Sequence, residues 1–158
     1  MKTLFIIDVQ KEYMEKYEDT LLAKINERIQ QAEANKEIVI YVKNIRNLRS
    51  GKTSYEFADG LTICSSYIFY KERASVFTNQ ELLNLLQENK IAEVEVIGID
   101  GNCCVASSAL AASDLGYQVT LPCRYIGVQN TERFEKKKIL LKKKGIVFHL
   151  HPDNAFWE

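Results

Sequence analysis

The feature that most constrains this chain is a regular alternation of short apolar runs and longer segments with helical spacing. The short runs are apolar and partly β-branched throughout, as expected for strands buried on both faces of a sheet. The predicted strands are Thr3–Ile7, Ile38–Val42, Tyr67–Tyr70, Val94–Ile97, Tyr117–Leu121 and Ile146–Leu150. Strands that alternate with helices pair in parallel, because each helix returns the chain to the same end of the sheet. The pattern therefore predicts an α/β fold with a mostly parallel, doubly wound sheet.

The segments between these strands carry helix signals. Apolar residues recur at helical spacing in Asp19–Asn35, and the Ala-rich segment Cys103–Leu115 and the segment Thr131–Lys144 each end at a glycine. Thr78 and Glu81 have the spacing of a capping box, which predicts a further helix there. The region between Lys43 and Ser66 shows neither period and is interpreted as a long loop, a feature that compact domains keep mainly for function.

Length and composition exclude several classes of protein. The chain has 158 residues, which predicts a single domain over residues 1–158. Its 21 basic and 21 acidic residues cancel, which argues against nucleic acid as a partner. No apolar stretch is long enough for a bilayer, and no export signal is recognisable, so we expect a cytoplasmic protein without membrane contact. In that compartment the four cysteines, Cys64, Cys103, Cys104 and Cys123, are expected to be free thiols.

Three chemically reactive residues follow three different apolar runs. Asp8 and Lys71 come directly after the first and third strands, and Cys104 follows the fourth strand at the start of a helix. Ligands of doubly wound folds bind beyond the carboxyl ends of the strands, so one rim can hold all three side chains. A helix N-terminus and a nearby ammonium both favour a thiolate, which predicts an acidic and selectively alkylated thiol at Cys104. Asp8 would then exchange the proton of the reaction.

Each of these residues also has a purely structural interpretation. An aspartate after a strand is often a turn former, a lysine beside Glu72 and Arg73 is often a solvated charge, and a cysteine in an Ala-rich helix often packs as a small apolar side chain. His149 and His151 raise a cysteine–histidine dyad as another alternative, but a last strand at the sheet edge would lie two strand spacings from Cys104. Periodicity alone leaves the functional and structural interpretations evenly matched.

A resemblance to a known family favours the functional interpretation. The motifs are Asp8-Val9-Gln10, Lys71-x-x-x-Ser75-x-Phe77 and Gly98-Ile99-Asp100-Gly101-Asn102-Cys103-Cys104-Val105, followed by Ala109–Ala112 and Leu115–Tyr117. In this order and at these strand ends, they resemble the isochorismatase-like cysteine hydrolases, which include the nicotinamidases. The resemblance runs from Thr3 to about Gly127. It implies a Rossmann-like, three-layer α/β/α sandwich around a six-stranded sheet.

The resemblance also implies roles for individual residues. Asp8, Lys71 and Cys104 would form a catalytic triad, with Cys104 favoured over Cys103 as the nucleophile because Val105 occupies the position that normally follows it. A non-proline cis peptide at Ile99–Asp100 would aim the N–H groups of Asp100 and Cys104 into an oxyanion hole. The residues expected to bind substrate are Tyr13, Gln10, Phe77 and Asn102.

Two positions depart from the family pattern, and one motif is missing. Gly101 replaces the usual threonine, which removes a hydroxyl close to the site, and Lys11 replaces the usual asparagine. Nicotinamidases carry an Asp-x-His metal motif after the second strand, whereas this chain has no histidine between Val42 and Tyr70. We therefore expect no metal and no other cofactor, and the nicotinamidase interpretation is weakened.

The sequence thus predicts a cysteine-dependent hydrolase that cleaves a small amide or a related C–N bond through a thioester. Hydrolysis of a vinyl ether, as in isochorismatases, is the alternative chemistry. A non-catalytic relative that binds a small ligand or a protein partner is the alternative class. The apolar tail residues Phe156 and Trp157, together with the habit of the family, predict a homo-oligomer, a dimer or a tetramer.

Overall fold

The computed structural model describes residues 1–46, 55–73 and 75–149. These ranges contain seven strands, five α-helices and a 3₁₀ helix at Cys123–Tyr125. The strands are β1 (Lys2–Ile7), β2 (Ile38–Asn44), β3 (Ile68–Lys71), β4 (Glu93–Ile99), β5 (Gln118–Pro122), β6 (Ile126–Gly127) and β7 (Val147–His149). The helices are α1 (Lys11–Met14), α2 (Thr20–Ala34), α3 (Gln80–Glu88), α4 (Cys104–Asp114) and α5 (Thr131–Lys143).

The strands form one sheet in the order β3-β2-β1-β4-β5-β7, and all of its pairs are parallel. This is the doubly wound order, in which the chain moves outward in one direction from β1 and in the other from β4. The six predicted strands are confirmed. The sequence missed β6, which has only two residues and pairs with the end of β4, where Ile99 faces Gly127.

Side chains alternate between the two faces of the sheet and build two separate cores. On β1, Phe5 and Ile7 join a cluster that is completed by α3, α4 and α5, whereas Leu4 and Ile6 join a cluster that is completed by α2. All four of these side chains are fully or almost fully buried. The predicted three-layer α/β/α sandwich is therefore confirmed, and helices on both faces explain the continuous apolar runs.

Local differences from the predicted elements have local causes. The helix assigned to a capping box at Thr78 begins one residue later, because the side chain of Asn79 accepts a hydrogen bond from the N–H of Leu82 at 3.2 Å. The second and third strands each extend at their carboxyl ends, to Asn44 and Lys71. Both extensions lengthen the sheet toward the rim where the reactive residues were predicted.

Candidate active site

The chain winds outward in opposite directions from the neighbouring strands β1 and β4. The predicted reactive residues meet at the carboxyl ends of these strands. Asp8 directly follows β1, and Cys104 is the first residue of the helix after β4. Lys71 is the last residue of β3, two strands from β1. All three residues lie at the carboxyl edge of the sheet, where open α/β sheets bind their ligands.

The backbone around Asp8 is unusually constrained. Its N–H donates to the carbonyl of Val42 at 3.0 Å, which extends the ladder with β2, and its φ of 55° lies in the left-handed region. Aspartate tolerates this conformation better than most residues do. On the other side, Ile7 pairs with Gly98, where a Cβ would overlap the carbonyl of Ile7. A glycine at this position lets β1 and β4 approach closely just before the reactive residues.

Asp8 and Lys71 form a buried ion pair beneath the Cys104 thiol. The Nζ of Lys71 lies 3.0 Å from Oδ2 of Asp8, and their side chains are only 1% and 5% exposed. The Cys104 thiol interacts with both the carboxyl and the ammonium group. Within the described residues, Oδ1 of Asp8 is buried and has no fully formed hydrogen bond, so this oxygen is available to accept a proton.

Burial and mutual charge set the protonation of this group. Burial raises the pKa of Asp8, although the charge of Lys71 and contacts with Cys104, Lys71 and Asn44 oppose the shift. Burial also raises the pKa of the Cys104 thiol, and the charge of Asp8 raises it further against the opposing effect of Lys71. This shift runs opposite to the acidic thiol that the sequence predicts, because burial and the neighbouring carboxylate outweigh the ammonium.

The turn after β4 carries two N–H groups beside the thiol. The peptide bond between Ile99 and Asp100 is cis, as the family resemblance implies. The carbonyl of Asp100 accepts hydrogen bonds from the N–H groups of Cys103 and Val105, both at 3.0 Å. Among the described residues, the N–H groups of Asp100 and Cys104 themselves donate to no backbone carbonyl. Both remain available for an oxygen of a ligand.

The side chain of Asp100 holds the surrounding loops in place. Its Oδ2 accepts hydrogen bonds from the hydroxyl of Tyr17 at 2.8 Å and from the N–H of Gln129 at 2.9 Å. Its Oδ1 accepts one from the N–H of Asn102 at 2.8 Å. Two segments distant in sequence, at Tyr17 and Gln129, are thereby fixed around the turn, a role for Asp100 that the motif alone does not indicate.

A cavity of about 370 Å³ opens directly above the thiol. Tyr13 lies in its wall, as predicted, and burial raises the pKa of its hydroxyl to about 12, so that it stays protonated. Cys103 is exposed in the same wall, but the buried Cys104 is the cysteine that contacts Asp8 and Lys71. The residues around the cavity are Asp8, Tyr13, Lys16, Tyr17, Asn44, Arg46, Ile99, Asp100, Cys103, Cys104 and Gln129.

Three residues predicted to bind substrate lie outside this wall. Gln10 is completely buried, and its amide exchanges two hydrogen bonds with the backbone of Asn44, at 2.7 and 3.1 Å. Phe77 packs in the core, with its ring centroid 5.1 Å from that of Phe5. Asn102 uses its N–H to bind Asp100, and its side chain is not part of the cavity lining. Gln10 and Phe77 therefore support the site from beneath.

The structure shows what surrounds the two residues that depart from the family pattern, Gly101 and Lys11. A Cβ at Gly101 would meet side-chain atoms of Val128, Ile126 and Phe134 at 2.8 to 3.0 Å, so the space that a threonine would need is already filled. Lys11 lies on the outer surface, 3.5 Å from a carboxylate oxygen of Asp59. Neither residue lines the cavity.

The sequence interpretation missed Asn44, Arg46 and Lys16. The carboxyl-edge rule that identified Asp8 and Lys71 applies equally to Asn44 and Arg46, which end and follow β2. The sequence does not separate these two residues from the aperiodic region between Lys43 and Ser66. His149, by contrast, lies on the edge strand β7, two strands from β4, as the strand-spacing argument expected. His151 lies outside the described residues, as do Phe156 and Trp157.

The residues at this rim do not fit a metal ion. Over residues 1–46, 55–73 and 75–149, no three side chains of His, Cys, Asp or Glu lie close enough to share one. The cavity wall instead presents two cations, Lys16 and Arg46, and a guanidinium has no lone pair to give to a metal. The expected absence of a metal stays a prediction, which elemental analysis of the purified protein tests.

Comparison with known proteins agrees with this fold, an α/β/α sandwich with a candidate site at the carboxyl ends of β1 and β4. The isochorismatase domain model matches residues 2–137, and the chain belongs to this hydrolase family. No curated protein sequence matches it. No helix among the described residues is long and apolar enough to cross a bilayer.

Solved structures share the fold at low sequence identity. One is the pyrazinamidase of Pyrococcus horikoshii in complex with zinc, with 19% identity, a TM-score of 0.81 and coverage of 95% of this chain and 99% of that chain. The nicotinamidase of Staphylococcus aureus has 19% identity and a TM-score of 0.80, over 94% of this chain and 98% of its own. An isochorismatase family protein of Desulfovibrio vulgaris has 20% identity and a TM-score of 0.82, over 94% and 93%.

Proposed function

We propose that this protein is a cysteine-dependent hydrolase that cleaves a small amide or a related C–N bond through a thioester intermediate. One observation carries the proposal: a buried carboxylate–ammonium pair contacts the thiol of Cys104 at the floor of a cavity. A nucleophile, a base within reach and a third group that orients the base make up the general arrangement of nucleophilic catalysis. Residues 1–158 act as one catalytic domain in this proposal.

The first half of the reaction forms the thioester. As the sulfur of Cys104 bonds to the carbonyl carbon, its proton passes to the carboxylate of Asp8, whose raised pKa makes it a stronger base than an ordinary aspartate. Lys71 stays paired with this group and offsets the negative charge that moves between sulfur and carboxylate. The carbonyl oxygen becomes an oxyanion, which the N–H groups of Asp100 and Cys104 bind.

The second half releases the products. When the oxyanion collapses, the C–N bond breaks and the leaving nitrogen takes the proton from Asp8. A water molecule then attacks the thioester carbon and gives one proton to Asp8. Collapse of that second oxyanion breaks the C–S bond, the sulfur recovers the proton, and the acid product leaves. Atoms and charge balance, with one water consumed per bond cleaved.

Two further parts of the proposal concern the setting. We place the protein in the cytoplasm, because Cys104 must remain a reduced thiol and the exposed Cys103 is its neighbour in sequence. Assembly into a dimer or tetramer remains a prediction, which light scattering at micromolar protein concentration tests.

The test measures turnover of a panel of small amides and carbamoyl compounds. Release of ammonia is the readout. With a substrate in hand, we expect Cys104→Ala and Asp8→Asn each to lose a factor on the order of 10³ or more in kcat, and the double variant little beyond either. Cys103→Ala is the matched control and should retain turnover. Mass spectrometry of a rapidly quenched reaction should find an acyl group on Cys104.

Two outcomes would reject the proposal. Full turnover in Cys104→Ala would show chemistry without a covalent cysteine, as in the hydrolysis of a vinyl ether. Saturable binding of panel compounds without any hydrolysis would identify a ligand-binding relative instead.

A further inference from the structure

Two cations line the cavity without a carboxylate partner in the described part of the chain. Lys16 and Arg46 both line the cavity, and no salt bridge to an acid is recorded for either among the described residues. The two acids of the wall are already engaged: Asp8 pairs with Lys71, and Asp100 accepts three hydrogen bonds from the protein. Neither acid is therefore paired with Lys16 or Arg46, and both cations can bind an anion that enters the cavity.

Arg46 is held at the reacting end of the cavity. Its Nη2 lies 3.7 Å from the sulfur of Cys104. The N–H of Arg46 donates to Oδ1 of Asn44 at 2.9 Å, and the backbone of Asn44 is held in turn by the side chain of Gln10. The guanidinium thus starts from an ordered backbone and reaches the place where a substrate carbonyl must approach the thiol.

We infer that Arg46, assisted by Lys16, binds an anionic group of the substrate, so that the substrate is an amide or carbamoyl compound bearing a carboxylate close to the cleaved bond. The short distance between the guanidinium of Arg46 and the sulfur of Cys104 limits how far the carboxylate can be from the cleaved bond. A carbonyl carbon about to be attacked lies about 3–3.5 Å from the sulfur. A carboxylate that also accepts a hydrogen bond of about 2.8 Å from the guanidinium is then separated from that carbon by only a few bonds.

The inference concerns the same cavity and rests on the proposed hydrolase function for its biological meaning, but its test needs no turnover. Iodoacetate and iodoacetamide alkylate a thiolate by the same displacement and differ in the charge of one small group. The ratio of their rates at Cys104 cancels the reactivity of the thiol itself. Compared with the same ratio for glutathione, it measures whether the cavity prefers an anion beside the sulfur.

We expect the iodoacetate-to-iodoacetamide ratio at Cys104 to exceed the glutathione ratio on the order of tenfold, as a charge-assisted hydrogen bond to Arg46 predicts. Arg46→Gln should remove most of this preference and Lys16→Gln a smaller part, and high salt should reduce it in the unmodified protein. Arg46→Lys keeps the positive charge but should keep only part of the preference for iodoacetate. An ammonium cannot bind a carboxylate through two parallel hydrogen bonds as a guanidinium does. Arg124→Gln, remote from the cavity lining, is the matched control and should keep the full ratio.

Two results would overturn the inference. A ratio at Cys104 no greater than that of glutathione would mean that the cavity does not select anions. Equal losses of both rates in Arg46→Gln, with the ratio unchanged, would mean that the guanidinium stabilises the thiolate and binds no substrate group. Because the ratio is independent of hydrolysis, a protein without amidase activity can still satisfy this test, and an active amidase can fail it.

Discussion

At the scale of single residues, the candidate site depends on how Asp8 and Cys104 influence one another. Both lie beneath the cavity, and burial raises the pKa of each. The negative charge of Asp8 also opposes ionisation of the sulfur, so the proton stays on the thiol until a substrate arrives. Such a site lowers the thiolate fraction of its cysteine at rest and places the base beside it.

This coupling predicts opposite effects of Asp8→Asn on two measurements. Loss of the carboxylate charge removes one cause of the raised pKa and leaves Lys71 to favour the thiolate. We expect the pH profile of iodoacetamide alkylation at Cys104 to move to lower pH by about one unit, while turnover is lost. Cys123 is the internal control, because burial is the main cause of its own raised pKa. An alkylation profile that stays in place or moves upward would contradict the coupling.

The pH dependence of turnover should report the carboxyl group of Asp8. Asp8 must be ionised to accept the thiol proton, so activity falls as the pH drops through its pKa. Because burial raises that pKa, kcat/KM should fall at a higher pH than the value of about 3.9 for a free aspartate would give.

Lys71→Gln removes the charge that opposes this shift, and the fall should move upward by at least about one further unit. A ¹³C NMR titration of the Asp8 carboxyl gives the same information without turnover. Lys11→Gln, which removes a lysine of the outer surface, is the control. An acid limit that is the same in all three proteins would mean that another group controls it.

At the scale of elements, sequence reasoning succeeded where a strand end alone fixes a residue. Asp8 and Lys71 were found because each ends or follows an apolar run, and Cys104 because a helix begins there. The six longer strands were recognisable for the same reason, since burial on both faces demands continuous apolar sequence. The two-residue β6 was not, because so short a strand has no period of its own.

The contribution of Arg46 could not be predicted with the same means. Its position after β2 was readable, but its reach to the sulfur depends on the turn that Asn44 makes. Gln10 and Phe77 lie outside the cavity wall, because a motif residue can support a cavity without lining it. The raised pKa of Cys104 was missed because burial is a property of the packed molecule and not of the motif.

The close approach of β1 and β4 predicts a strong effect of Gly98→Ala. The φ of Gly98 is 116°, and an added Cβ would overlap backbone atoms of Ile7, which cannot move without disturbing the sheet. We expect a loss of more than about 3 kcal/mol in the free energy of unfolding, measured by urea denaturation.

Gly116→Ala is the matched comparison for Gly98→Ala. Gly116 also has a positive φ, of 94°, but an added Cβ would have no atom within 4 Å. Only the backbone conformation is then penalised, and the loss should be about 1 kcal/mol. Similar losses for both variants would mean that the strand approach contributes nothing beyond the conformation of the glycine.

At the scale of the whole molecule, the two ends of the sheet hold different charge clusters. Opposite the cavity, Glu95 near the start of β4 is almost completely buried and lies 2.6 Å from the Nε of Arg28 and 2.8 Å from the Nζ of Lys2. Arg28 also binds Glu37 at 2.8 Å, so one guanidinium joins α2 to the region where β2 begins. This cluster ties helix to sheet, whereas the pair at the other end serves the thiol.

Glu95→Gln should therefore lower stability and leave the reactive end unchanged. Burial alone would raise the pKa of Glu95, but hydrogen bonds and charge from Arg28 and Lys2 outweigh it, and the pKa lies below its ordinary value. A lowered pKa stabilises the fold above the unfolded value and loses this effect as the pH falls through the folded value. We expect a loss of about 3 kcal/mol at neutral pH, which shrinks in acid.

Urea denaturation at neutral and acidic pH measures this difference, and alkylation of Cys104 should be unaltered. Glu27→Gln removes the exposed partner of Arg124 and should change stability by less than about 1 kcal/mol. A Glu95→Gln variant whose deficit grows as the pH falls would have the wrong sign and would contradict the lowered pKa.

The paired hydrogen bonds between the Gln10 amide and the backbone of Asn44 have a consequence for how such a protein diversifies. The side chain of Gln10 makes the two hydrogen bonds that the backbone of one more strand residue would make. The hydrogen-bonded pairing of β1 with β2 therefore continues past the point where their main chains separate. The position of Asp8 therefore depends on paired main chain and on one amide, both beneath the cavity. Selection can then change the side chains that line the cavity without rebuilding the support of the candidate base.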